Sequence, residues 1–158
     1  GRVGRKGYMT WDQIKSLQEA GMIIGSHGLS HQILTSLMDT QIDEELRASK
    51  RTIQVNIGVP IDTLSIPRGF CNDSLIQKAY ELGYKTIFIS DRPDDLKSDC
   101  LSRIAVKDRW TVKHLANALE GKKTAGDKAF LSVKKSVKGL LREDLYNKFR
   151  SVLIRIFK

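Results

Sequence analysis

The sequence predicts an α/β fold with a parallel sheet that does not close into a barrel, followed by a basic helical extension. Two observations support this prediction: short apolar segments alternate with amphipathic helical patterns, and Gly, Pro or capping residues mark their ends. Strands that are separated by helices pair in parallel through crossover connections. About four strands are expected, which is too few for a closed barrel.

The first predicted helix begins at Thr10, which forms a capping-box pattern with Gln13, and it stops at Gly21. The apolar run 22–24 follows at once. A short run of this kind, bounded by glycines, is typical of a buried strand. We therefore expect a strand at 22–24 that ends just before His27.

A longer helix is expected from Asp39 or Thr40 to a stop at Gly58. One face of this helix carries its apolar side chains, namely Ile42, Leu46, Ile53 and Ile57. The next strand is expected at 64–66, because Pro67 cannot continue a central strand.

The rest of the chain up to residue 120 repeats this alternation. Asn72 or Asp73 can cap a third helix, which precedes an expected strand at 84–89. Another strand is expected at 101–106, and Thr111 can cap a further helix that runs to residue 119.

This alternation predicts where a functional site lies. In parallel α/β folds, the working groups sit at the carboxyl ends of the strands. Here those ends carry the pairs Ser26-His27, Pro67-Arg68 and Ser90-Asp91. We therefore expect these three pairs to face one site.

His27 and His31 form the strongest local chemical pattern in the sequence. Two imidazoles at this spacing can meet one metal ion if the chain turns into a helix between them. Neutral imidazole suits zinc and other late divalent metals. The alternative is that both histidines are ordinary surface or packing residues, because a pair at this spacing is short and common.

The surroundings of the histidine pair extend the pattern to a family resemblance. Residues 21–31 are similar to the second motif of the bacterial polysaccharide deacetylases, whose domain is also called the NodB homology domain. Residues 65–70 resemble the third motif of that family, and the stretches 79–85 and 101–106 resemble segments that follow it. The similarity extends from about residue 7 to residue 120.

The resemblance implies a distorted (β/α) barrel that hydrolyses N- or O-acetyl groups on an acetylated polysaccharide or oligosaccharide. It implies a divalent metal, with zinc as the expected ion, held by His27 and His31. It also implies that Pro67, Arg68 and Gly69 form part of the substrate-groove wall, where a backbone N–H helps to stabilise the oxyanion. In the family the metal polarises the acetyl carbonyl, and an Asp acts as the general base.

The sequence also departs from the family pattern. The family's Asp-Asp motif precedes the histidine motif, whereas here only Asp12 and Glu19 precede His27 as acidic residues. We therefore expect the deacetylase domain to be N-terminally incomplete, without its catalytic Asp base. Gly28 stands where the family commonly has Ser or Thr, and Ser65 stands where the third motif often has Arg.

Asp91 and Asp94 follow the strand that is expected at 84–89. They are candidates for acidic support of the site, in the role of the family's fourth motif. A polar turn after a strand has the same composition, so both interpretations stay open.

The net charge of +9 comes almost entirely from the residues after 120. We therefore divide the chain into a deacetylase-like domain at 1–120 and a basic amphipathic helical tail at 121–158. Such a helix either packs its apolar side on the domain or lies on an anionic membrane or polymer. Nucleic acid is not expected as a partner, because the tail has no basic platform with interleaved aromatic residues.

Two hypotheses of function follow. The first is a metal-dependent hydrolase that removes acetyl groups from a polysaccharide or amino sugar, present here as an incomplete copy. The second is a catalytically inactive, truncated barrel that acts as a binding module through its basic tail. Neither a signal peptide nor a transmembrane run is recognised in the sequence, so the compartment stays open.

Overall fold

The computed structural model describes residues 2–90, 96–104, 106, 108, 110–122 and 132. The chain divides into two units, Gly1–Arg103 and Ile104–Lys158. The described elements of the first unit are, in chain order, α1 (Trp11–Glu19), α2 (Asp39–Ile57), β1 (Thr63–Ser65), α3 (Asp73–Glu81), β2 (Thr86–Ile89) and β3 (Leu101–Ser102). Two short 3₁₀ turns lie between them, at Leu34–Ser36 and at Pro67–Gly69. The second unit contains α4 (Val112–Leu119).

The three strands form one parallel sheet in the order β1-β2-β3. Ser65 of β1 pairs with Phe88 of β2, which in turn pairs with Leu101 of β3. An isolated parallel bridge between Ser26 and Leu64 adds a further segment beside β1. The predicted parallel α/β arrangement is therefore confirmed, and the residues that follow each strand collect at the carboxyl edge of the sheet.

The helix ends follow the capping residues that are visible in the sequence. The Thr10 hydroxyl accepts from the Gln13 N–H, while the Gln13 side chain accepts from the Thr10 N–H. Asn72 caps α3 by accepting from the Leu75 N–H, and Gly58 ends α2 in the left-handed conformation. These contacts satisfy backbone groups that a helix end otherwise leaves without partners.

The hydrophobic core is formed by the sheet together with α2 and α3. Leu46 of α2, Leu64 of β1 and Ile76 of α3 are completely buried. Burial of each such side chain contributes roughly 1.5–3 kcal/mol relative to exposure. The expected apolar face of α2 is confirmed, since Ile42 and Ile57 are buried beside Leu46.

The strand that was expected at 22–24 does not form. Met22 and Ile23 are 56% and 83% exposed, and the Met22 N–H donates to the Leu17 carbonyl at the end of α1. The backbone at the start of this run therefore completes the helix end and does not pair with β1. The chain joins the sheet only at Ser26.

Two other strands are shorter than expected. The strand predicted at 84–89 covers Thr86–Ile89, because the Tyr84 N–H donates to the Ala79 carbonyl at the end of α3. The Tyr84 side chain is buried, and its hydroxyl donates to the Leu46 carbonyl at 2.9 Å. Of the described residues within the strand predicted at 101–106, Leu101–Ser102 form β3, and residues 103, 104 and 106 lie outside it.

The helix α4 confirms the prediction of a helix capped by Thr111, whose hydroxyl accepts from the His114 N–H. Of the predicted tail at 121–158, the structure describes only residues 121, 122 and 132, so the tail helix lies outside the described residues. Among the residues that are described, no helix combines the length and apolar character needed to cross a bilayer.

Candidate functional site

His27 lies at the carboxyl edge of the sheet, directly after the bridge between Ser26 and Leu64. Its Nδ1 lies 2.5 Å from the carbonyl oxygen of Ser65, the last residue of β1. Because a carbonyl oxygen can only accept, Nδ1 carries the proton and donates it. In the neutral ring this leaves Nε2 with a free electron pair for a ligand bond.

The ring of His31 lies beside the ring of His27. Their centroids are 4.9 Å apart and their planes meet at 62°. Burial lowers the pKa of His31, and the neighbouring His27 and the positive charges of Arg68 and Arg2 lower it further. The lowered pKa favours the neutral form of the His31 ring at pH 7, since the ordinary histidine pKa is already roughly 6.5. The structure thus brings together the two histidines that the sequence singled out.

Residues 28–31, which we term the histidine loop, connect the two rings without a helix. Gly28 and His31 both adopt the left-handed backbone conformation, with φ of 72° and 65°. For a non-glycine residue this conformation costs roughly 1–2 kcal/mol, so neighbouring contacts must hold it. From the sequence, a helical turn is the condition for both rings to meet one metal, whereas in the structure a left-handed loop brings the rings together.

Glu45 of α2 holds the histidine loop in place. Its Oε2 accepts hydrogen bonds from the N–H groups of Leu29 and Ser30, at 2.8 and 2.9 Å. Its Oε1 accepts from the Ser30 hydroxyl at 2.5 Å. Glu45 is only 8% exposed, and no ion pair of Glu45 occurs among the described residues. These three donors therefore replace the water that the carboxylate loses on burial.

Sequence reasoning did not single out Glu45 as a site residue. The available signal was its position on α2, three residues after Ile42 and directly before Leu46. That position lies on the apolar face of the helix, where a charged side chain requires polar partners.

The hydrogen bonds of Glu45 predict how the histidine loop responds to acid. Burial alone would raise the pKa of Glu45, but the Ser30 hydroxyl and the N–H groups of Ser30 and Leu29 together outweigh it and lower the pKa. A lowered folded-state pKa contributes stability above the unfolded value of roughly 4.3, and that stability is lost as the pH falls through the folded pKa. We expect the amide NMR signals of Leu29 and Ser30 to shift together below about pH 4. Signals that stay constant until the chain unfolds would contradict this anchoring.

A buried contact also ties α2 to the backbone of the first histidine. The Ser26 and Ser49 hydroxyls lie 2.7 Å apart and are hydrogen bonded, and both residues are at least 95% buried. Ser26 immediately precedes His27, so α2 restrains the chain before His27 through Ser49 and between the two histidines through Glu45.

The 3₁₀ turn Pro67–Gly69 follows β1 at the same edge of the sheet. Pro67 and Gly69 are buried, whereas Arg68 is exposed and has a φ of 60°. A Cβ atom at Gly69 would lie 2.8 Å from the Cβ of Ser90, so the turn packs directly on the residue that follows β2. The substrate-groove role of this turn stays a prediction.

Arg103, which follows β3, places a guanidinium group at this edge that sequence reasoning had not assigned to the site. The guanidinium donates to the Ser90 hydroxyl at 2.8 Å. Ser90 directly follows β2, so this positive charge lies at the carboxyl end of that strand. Asp91 and Asp94, the two candidates for acidic support, lie outside the described residues.

The donor chemistry of the histidine pair fits a late divalent metal. His27 presents Nε2 because Ser65 holds its Nδ1, and the lowered pKa of His31 keeps that ring unprotonated. A catalytic zinc usually takes three protein ligands. No group of three or more His, Cys, Asp or Glu side chains suited to a metal occurs in the part of the chain that the structure describes. At this site the described residues therefore offer two imidazole donors, His27 and His31.

Comparison with known proteins gives one family match. A family model described as polysaccharide deacetylase matches residues 2–87, a range that includes both histidines and Glu45. The peptidoglycan-N-acetylmuramic acid deacetylase PdaA of Bacillus subtilis (strain 168) is 33% identical over 89 residues. That similarity covers 53% of this chain and 34% of the relative, so the chain spans about a third of the relative's length.

Solved structures share the fold. The polysaccharide deacetylase BC0361 from Bacillus cereus has a TM-score of 0.63 at 20% identity, and the match covers 75% of this chain and 39% of that chain. The Streptococcus pyogenes deacetylase PplD in complex with acetate has a TM-score of 0.64 at 21% identity, covering 77% and 54%. These likenesses confirm the predicted fold class, a partial barrel with an open sheet.

Proposed function

Because the chain belongs to the polysaccharide deacetylase (NodB) family, we propose that it carries the histidine part of the site of a hydrolase that removes acetyl groups from a polysaccharide or peptidoglycan. The observation that carries this proposal is the convergence of the His27 and His31 rings at the carboxyl edge of the sheet. The resemblance noted from the sequence leads to the same class of reaction.

The proposed substrate is a glycan with N- or O-acetyl groups. The Bacillus subtilis relative is named for the deacetylation of N-acetylmuramic acid in peptidoglycan, which supports an acetylated amino sugar as the reacting unit. The exposed Arg68, in the turn Pro67–Gly69, is proposed to line the groove that receives this glycan.

His27 and His31 would hold a divalent metal, for which we propose zinc. When bound, such a metal polarises an acetyl carbonyl and lowers the pKa of water. The Ser65 carbonyl keeps the proton of His27 on Nδ1, so the Nε2 lone pair remains available. The neutral state of His31 near pH 7 removes the need to displace a proton from that ring.

Zinc titration combined with an acetate assay tests the proposal. We expect saturable, stoichiometric zinc binding by calorimetry. Release of acetate from N-acetylated chito-oligosaccharide or from peptidoglycan would show that the chain also supplies a general base, and it would exclude the non-catalytic alternative. Zinc binding without acetate release would favour the alternative, a non-catalytic barrel that acts as a binding module. Absence of both would contradict the metal role of the histidine pair.

The division into a domain at 1–120 and a basic tail at 121–158 stays a proposal. Contact of that tail with an anionic membrane or polymer is likewise a proposal, supported by the excess of Lys and Arg after residue 120.

A further inference from the structure

We propose that Glu45 is the positioning residue of the histidine loop: it holds residues 28–31 so that the His31 ring faces His27. The inference rests on the proposed function, because it concerns the same two histidines. Glu45 acts through Leu29 and Ser30, which bind its carboxylate.

The two histidines are fixed by different parts of the fold. His27 is oriented from the sheet, by the Ser65 carbonyl at the end of β1. His31 directly follows Ser30, whose N–H and hydroxyl both bind Glu45 of α2. The backbone of His31 has a φ of 65°, a conformation that the loop does not favour by itself. By holding Ser30, Glu45 therefore fixes the backbone position of the next residue, His31, which carries the second ring.

Gly28 and Glu45 occupy adjoining space at the start of the loop. A Cβ atom at Gly28 would lie 3.3 Å from Glu45 Oε2 and 3.3 Å from Pro67 Cγ. Glycine at position 28 therefore lets the carboxylate come close enough to accept from the next two N–H groups. The loop, the helix and the turn after β1 meet at this one point.

The strength of these contacts is sufficient for a positioning role. A carboxylate that accepts from two N–H groups and one hydroxyl makes charge-assisted hydrogen bonds, which are about twice as strong as neutral ones. Ser26 and Ser49 tie the chain before His27 to the same helix. Loss of the hydrogen bonds between Glu45 and the loop would thus move His31, while His27 would stay in place.

The experiment compares Glu45→Ala and Glu45→Gln with a control variant, Glu44→Gln. Glu44 is the exposed neighbour of Glu45 on α2. The first readout is the nuclear Overhauser effect between the ring protons of His27 and His31 in the metal-free chain. The second readout is zinc affinity by calorimetry, and the third is the tautomer of His27 from its ring nitrogen shifts.

In Glu45→Ala we expect loss of the ring-to-ring signal and a fall in zinc affinity of about 10- to 100-fold, as for other groups that orient metal ligands. The ring-to-ring signal and the zinc affinity of Glu45→Gln should lie between those of Glu45→Ala and the wild type. The reason is that the glutamine amide oxygen still accepts hydrogen bonds from the loop but carries no charge. The His27 tautomer should stay unchanged in both, since Ser65 holds it. Glu44→Gln should match the wild type in all three readouts.

A folded Glu45→Ala chain that keeps both the ring-to-ring signal and its zinc affinity would overturn the proposal. If Glu45→Ala does not fold, Ser30→Ala decides, because it keeps both backbone contacts to Glu45 and removes the hydroxyl contact, together with the exposed hydrogen bond that this hydroxyl accepts from Gln32. A weaker ring-to-ring signal in Ser30→Ala would support the proposal, and an unchanged signal in both Ser30→Ala and Glu45→Gln would refute it. If the wild type binds no zinc, the proposed function fails, while the ring-to-ring signal still tests Glu45.

Discussion

Replacing either His27 or His31 with alanine is expected to lower zinc affinity by at least 10- to 100-fold. Mutation of a residue that only orients a metal ligand already causes a loss of about this size. The centroids of the two rings lie 4.9 Å apart, and these rings are the pair of donors proposed for the metal. One remaining imidazole cannot chelate the ion. Calorimetric titration near neutral pH, where His31 is unprotonated, measures the difference.

His114 provides a matched control for the histidine variants. It is the third histidine of the sequence, it is exposed on α4, and its Nδ1 is hydrogen bonded to the Thr111 hydroxyl at 2.8 Å. His114→Ala should leave zinc affinity unchanged. An equal loss in all three variants would mean that zinc binds histidine indiscriminately, and the candidate site would then be wrong.

Among the glycines that the structure describes, Gly69 is expected to show the largest loss of stability on substitution by alanine. The left-handed backbone at Gly69, with φ of 72°, costs an alanine roughly 1–2 kcal/mol. The new Cβ would also lie 2.8 Å from the Cβ of Ser90, and relief of such overpacking typically costs another 1–3 kcal/mol, approximately. Urea denaturation monitored by circular dichroism measures the sum as a change in the free energy of unfolding.

Gly58→Ala separates the two contributions. Gly58 has a φ of 77° at the end of α2, and a Cβ atom there would meet no atom within 4 Å. This variant should therefore show the backbone cost alone, and Gly69→Ala should exceed it. Equal costs at the two glycines would rule out the close approach of the turn Pro67–Gly69 to Ser90. Partial rescue of Gly69→Ala by Ser90→Gly would locate the clash directly.

Interactions that act within a few residues could be predicted from the sequence. The capping box of Thr10 and Gln13, the cap at Asn72 and the stop at Gly58 each operate inside about one helical turn, so the residue types reveal them. The parallel pairing of β1 with β2 followed from the helix α3 that separates them along the chain. The family was predicted from the motif around His27, and the match to residues 2–87 confirms it.

The strand expected at 22–24 does not form, and this has a physical reason. An apolar run has the composition of a buried strand, but composition does not say whether a partner strand or a covering helix is available. Here Met22 and Ile23 remain exposed, and pairing with Leu64 begins only at Ser26.

The sequence by itself determined that two imidazoles lie close together along the chain, at the edge where a parallel sheet collects its polar residues. Only the tertiary structure decided how the rings converge, through a left-handed loop held by a carboxylate 15 residues away and a carbonyl 38 residues from His27. Such hydrogen bonds depend on how α2 packs against the sheet. No short-range pattern encodes that packing. Glu45 is compatible with the helix α2 and Ser65 with the strand β1 whether or not the two elements pack together.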